Sequence, residues 1–191
     1  MNATKTARLL SAAGHPMLAV PIFALFNALM LLEGNVVYIT FGVTVLASLL
    51  LAFYIIRLKK QGKISNLDAS DQSERQNKVY LPIILVLIAT FGIFYTLNQP
   101  YSVLLASFCF LLLFLTGYLL NFFIKASLHL AIMAYFGSSF LPVYPWLGAI
   151  LLLFCLPLAW SRLHLQRHSP AEIVVGTLLG MGIGALQVCF G

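Results

Sequence analysis

Seven apolar runs follow one another along this chain, and most are long enough to cross a hydrocarbon layer about 30 Å thick. They extend from Met17 to Leu32, Val36 to Ile56, Val79 to Leu97, Tyr101 to Ile124, Leu128 to Leu141, Trp146 to Trp160 and Ile173 to Phe190. In hydrocarbon each backbone N–H and C=O must find its partner within the structure, so such runs are read as helices. Only 8% of the 191 residues are charged and 61% are hydrophobic, whereas an ordinary soluble domain is about 25% charged. A water-exposed shell cannot be built from that supply. The expected fold is all-α, a polytopic transmembrane helical bundle of six to seven spans, with residues 1–191 as one integral membrane domain. The run from Leu128 is the short one, with about 14 residues where about 20 are usual.

Turn signals separate the runs: Glu33-Gly34-Asn35, Asn98-Gln99-Pro100, and the stretch from Pro142 to Pro145. Residues 1–16 carry Lys5 and Arg8 and suit a short interfacial helix. A cleaved signal peptide is not expected, because the first run ends at Glu33 without a small-residue cleavage site and another span follows at once. Residues 59–78 form the one sustained polar stretch and must lie outside the hydrocarbon. Asp68, Asp71 and Glu74 cluster there and read as parts of a solvated loop. Cys109, Cys155 and Cys189 sit in apolar runs without metal-ligand spacing and read as small hydrophobes. In the last run, Gly176, Gly180 and Gly184 repeat at the spacing of a closely packed helix face.

If the seven runs alternate in direction, the N-terminus and the segments beginning at Lys59, Lys125 and Ser161 share one face. All eleven Lys and Arg then fall on that face, and so do His15, His129, His164 and His168. The positive-inside rule explains such a bias and places the face in the cytoplasm. Recognition of an anionic phosphate ester explains it equally well. No basic stripe is interleaved with exposed aromatics, so membrane lipids are the expected partners and nucleic acid is not.

Two segments on that face carry chemistry. In residues 161–172, Ser161 and Arg162 precede His168, and Glu172 follows His168 by one helical turn, a spacing that lets a carboxylate orient an imidazole. In residues 125–129, Lys125 and Ser127 precede His129 at the start of another run. These segments resemble the motifs of the type 2 phosphatidic acid phosphatase family, the membrane phosphatases related to vanadium haloperoxidases. The family's third motif is Ser-Arg, five residues, His, three residues, Asp; Ser161, Arg162, His168 and Glu172 match it with only the acid changed. Its second motif, Pro-Ser-Gly-His, corresponds to Ala126, Ser127, Leu128 and His129, which keep Ser and His. Its first motif, Lys, six residues, Arg-Pro, has its nearest counterpart in residues 71–82, where Arg75 is the first choice as phosphate ligand, Lys78 the second and Lys63 a weaker one.

The resemblance implies a metal-independent lipid phosphate phosphatase without cofactor. His168, oriented by Glu172, would attack phosphorus and form a phosphohistidine. His129 would protonate the leaving alkoxide and then activate water. Arg162, Ser127, Arg75, Lys78 and Lys125 would hold the phosphate oxygens. The implied substrates are phosphatidic acid, phosphatidylglycerophosphate or an isoprenyl diphosphate, met at the bacterial cell (inner) membrane by a multi-pass protein. Members of the family commonly work on the extracytoplasmic face, in conflict with the charge bias. A catalytically inactive relative that binds lipid or acts as a scaffold is the alternative. A haem protein fits poorly, because all four His lie at run ends rather than mid-span.

Overall fold

The computed structural model describes residues 2–65 and 71–191, so Asp68 lies outside the described residues. The regular structure there is entirely helical: α1 Ala3–Ala13, α2 Pro16–Leu31, α3 Asn35–Lys60, α4 Gln72–Thr96, α5 Tyr101–Leu120, α6 Leu128–Phe140, α7 Pro145–His164 and α8 Pro170–Phe190. The fold is the expected all-α polytopic bundle. Five of these helices, α3, α4, α5, α7 and α8, are long and apolar enough to cross a membrane, and α1 with α2 forms a bent pair that would make six. The count is at most six rather than seven, because the fifth run forms α6, which has 13 residues and at about 1.5 Å per residue reaches only two thirds of the way across a bilayer core. It is a core helix, with every residue from His129 to Tyr135 buried.

The chain divides into two compact units. Residues 20–122 form one. Its turns lie where the sequence puts them, with Gly34 at φ 58° and Asn98 at φ 49°, the left-handed region that Gly and Asn tolerate best. Asp71 caps the start of α4 by accepting from the Ser73 and Glu74 N–H groups at 2.9 and 3.1 Å, while Glu74 accepts from the Ser65 N–H at 3.0 Å. These acids organise the loop. A π turn over Gln76–Tyr80 interrupts α4, and Pro82 just beyond it has no N–H to offer the Lys78 carbonyl. The Asn121 side chain ties the end of α5 to α4 by donating to the Gln72 carbonyl at 3.1 Å.

Residues 1–19 and 123–191 form the other unit, which contains α1, α6, α7 and α8. Its arrangement follows from where small residues let backbones approach. Gly137 of α6 faces Leu152 of α7, and Gly148 of α7 faces Leu141, so α6 and α7 run antiparallel. Along α8, Gly176 faces Ser127, Gly180 faces Ala131 and Tyr135, and Gly184 faces Tyr135 and Ser138. Both series rise together, so α6 and α8 are parallel and their N-terminal ends lie side by side. The C-terminal end of the intervening α7 must return to that same end. On the lipid-facing sides large apolar residues stand exposed, such as Leu156 and Leu178, as expected where the solvent is hydrocarbon.

A Cβ on Gly180 would run into the Ala131 carbonyl, whereas one on Gly182 would meet nothing within 4 Å. Gly180→Ala should therefore lower stability by about 1–3 kcal/mol through overpacking. Gly182→Ala should be neutral or raise stability by about 0.5–1 kcal/mol through helix propensity. Thermal melts of the two variants in one detergent check the contrast, and equal shifts would contradict the assigned contact face.

Candidate functional site

Parallel α6 and α8 place their N-terminal turns, and the last turn of α7, at one end of this unit. Glu172 is the hub there. Ser169 and Glu172 form a capping box at the start of α8: the Ser169 hydroxyl accepts from the Glu172 N–H at 3.3 Å, and the Glu172 carboxylate accepts from the Ser169 N–H at 3.3 Å. Pro170 at the first helical position fixes the start. The same carboxylate oxygen lies 2.7 Å from His168 Nδ1 and 3.7 Å from Lys125 Nζ. The Glu172 backbone carbonyl accepts the Ser127 N–H at 3.0 Å. One residue thus joins residues 125–127 to His168. The His168 side chain is 1% exposed, and with Nδ1 committed to the carboxylate, Nε2 is the ring nitrogen on the other side.

Arg162 is fully buried. Its Nη1 donates to the Ser11 hydroxyl of α1 at 2.6 Å. Its backbone carbonyl accepts the Arg167 N–H at 3.0 Å, and Gln166 adopts φ 54° to close the turn that brings the chain back to His168. Ser161 is buried too, but its hydroxyl donates to the Leu158 carbonyl at 2.7 Å. Lys5, Arg8, Lys125, Arg162 and Arg167 are the five cations of this unit, and Glu172 is its one carboxylate side chain. That balance favours an anion over a cation as a ligand of this unit.

Ser127 occupies the N-cap position of α6, with extended φ −74° and ψ 106°, but its side chain makes no capping bond. The residue is completely buried, and Ser127 Oγ has no hydrogen-bond partner among the described residues. Two residues on, His129 is buried with the His15 ring against it, the centroids 5.1 Å apart and the planes at 85°. His15 Nδ1 accepts the Met17 N–H at 3.2 Å, which holds that ring in place.

Of the residues expected from sequence, Lys125, Ser127, His129, Arg162, His168 and Glu172 share one end of this unit. Arg75 and Lys78 belong to the other unit, where Arg75 is buried and Lys78 Nζ donates to the Lys63 carbonyl at 2.8 Å. Ser11 and His15 were not expected here, since residues 1–16 read as a short interfacial helix. The signal for them was a seam of small residues, Ala7, Ser11 and Gly14, all of which are buried. No family model, no curated protein and no solved structure matches this chain.

The capping box makes a stability prediction that is independent of activity. Ser169→Ala removes the hydroxyl acceptor for the Glu172 N–H and should lower stability by about 1 kcal/mol. Ser169→Asp, which keeps an acceptor, should lose much less. Melting curves of the two variants test the assignment.

Proposed function

We propose that this end of the unit is the active site of a membrane phosphatase acting on lipid phosphates through a phosphohistidine. The observation that carries the reading is the buried His168, held at Nδ1 by Glu172, in a unit whose charged side chains are five cations and one carboxylate. An imidazole fixed in this way presents Nε2 as the nucleophile. Arg162 and Lys125 supply charge to the non-bridging oxygens, and the unpartnered Ser127 hydroxyl at a helix N-terminus supplies a donor.

The steps balance as follows. His168 Nε2 attacks phosphorus while the ester P–O bond breaks, and the leaving alkoxide takes a proton from the His129 imidazolium. Neutral His129 then takes a proton from water, whose oxygen attacks phosphorus, and the N–P bond breaks to release inorganic phosphate. Glu172 keeps Nδ1–H oriented and stabilises the positive charge on His168. Arg75 and Lys78 stand as phosphate ligands on the resemblance alone, and no step is assigned to them. Membership of the type 2 phosphatidic acid phosphatase family is part of the proposal, as are the substrate classes already named. The bacterial inner membrane is the proposed setting, with this cation-rich end facing the cytoplasm by the charge rule.

The test is phosphate release by the purified protein from phosphatidic acid, phosphatidylglycerophosphate and isoprenyl diphosphate, with and without chelator. The wild type should release phosphate in both conditions and be inhibited by orthovanadate. His168→Ala should abolish release, and His129→Ala should lower kcat by about 10²–10⁴. Glu172→Gln should lower kcat with little change in KM. Acid-labile, base-stable label on the protein after quenching with radiolabelled substrate identifies the phosphohistidine. Full activity in His168→Ala, or strict metal dependence, would contradict the mechanism. The alternative, an inactive relative that binds lipid phosphate, draws on Leu128, which stands where the resemblance expects Gly. A wild type that binds phosphatidic acid vesicles yet hydrolyses none of the panel would select it.

A further inference from the structure

We infer that α1 is a structural part of this site, with Ser11 as the positioning residue for Arg162 and His15 as the positioning residue for His129. The inference rests on the proposed function for its catalytic consequences, and on contacts within one unit for its geometry. Three contacts place α1 across the last turns of α7, and the two buried ones hold it there. The Thr4 hydroxyl lies 3.4 Å from His164 Nε2, Ser11 bonds Arg162, and Gly14 lies so close to Leu158 that a Cβ there would be 2.7 Å from its Cδ1. The first of these is exposed. The other two are buried.

A guanidinium has five N–H donors and no acceptor, so its plane is set by the acceptors around it. Ser11 Oγ, itself buried, accepts from Nη1 at 2.6 Å. In a low-dielectric surrounding such a charge-assisted bond is stronger than a neutral one and fixes where the other donors point. Ser11 therefore acts on phosphate binding through Arg162. His15 acts differently. Its ring is anchored by the Met17 N–H and stands edge to face against His129. That contact restricts the χ2 rotation of His129, the torsion that decides which ring nitrogen faces a leaving group. One short helix thus serves both halves of the reaction, anion grip through Ser11 and proton transfer through His15.

The two roles separate kinetically. With full-length protein in detergent and dioleoyl phosphatidic acid as probe, Ser11→Ala should raise KM roughly tenfold, the size expected for one hydrogen bond to a charged group. Its kcat should change much less, and Ser11→Thr, which keeps a hydroxyl, should restore KM. His15→Ala should lower kcat between about ten- and a hundredfold, as misplaced catalytic groups do, with KM within about twofold. His15→Phe, which keeps a ring against His129, should recover most of that loss. Thr4→Ala, on the same helix but at its exposed contact, should leave both constants unchanged. Wild-type constants in both Ser11→Ala and His15→Ala, beside an inactive His168→Ala, would overturn the inference and leave the proposed function standing. Equal loss in kcat and KM for all three α1 variants would reduce α1 to a packing element and likewise overturn it. Should the wild type release no phosphate, the proposed function fails and orthovanadate binding, read by thermal shift, decides the role of Ser11. A vanadate stabilisation of the wild type that is lost in Ser11→Ala and regained in Ser11→Thr upholds it, and equal shifts or none end it.

Discussion

The close parallel packing of α6 on α8 is the constraint on which the rest of this unit depends. It is possible only because Gly176, Gly180 and Gly184 present no side chain where the Ser127, Ala131 and Tyr135 backbones pass. In a bilayer the hydrophobic effect does not drive helices together, so such contacts form where small residues allow many dispersion contacts. Parallel packing has an electrostatic consequence. Two helix N-termini lie at one end, each carrying roughly half a positive charge from its unsatisfied N–H groups. The C-terminal turn of α7 at the same end is complemented by Arg162 and His164. The backbone itself makes that end attractive to an anion before any side chain is considered.

Glu172 then links what the packing has brought near. Its side chain serves the capping box, His168 and Lys125, and its carbonyl takes the Ser127 N–H. The ion pair with Lys125 is partly exposed and 3.7 Å long, so it contributes little to stability. The bond to His168 is shorter and largely shielded, and it orients a ring. Glu172 suits this position where a shorter Asp would not serve both ends, because the N3 residue of a capping box must reach back to the N-cap N–H. The one departure from the resembled third motif therefore has a structural reason.

Much of this was legible in the sequence. Apolar run length gave the helices, Gly34, Asn98 and the Pro142 to Pro145 stretch gave their ends, and the four-residue spacing of His168 and Glu172 gave the pair that forms. The glycine repeat in α8 marked the packed face, though not the partner or the parallel register, which depend on contacts across some fifty residues of chain. The run from Leu128 looked like a span because hydropathy does not distinguish burial in protein from burial in lipid. Ser11 and His15 were missed for a related reason. A polar N-terminal segment with two cations has the pattern of a surface helix, and only its small-residue seam records that one side is covered. Ser127 read as a phosphate ligand. It stands at the N-cap, yet its hydroxyl does not cap.

His129, Arg162 and His168 are proposed to close around a single tetrahedral anion at one end of the unit. An experimental structure of the protein with orthovanadate tests it most directly. Vanadium is expected within bonding distance of His168 Nε2, with its oxygens on Arg162 and Ser127 and one of them facing His129. Vanadate bound away from His168, or a His129 ring turned from the His168-bound anion, would contradict it.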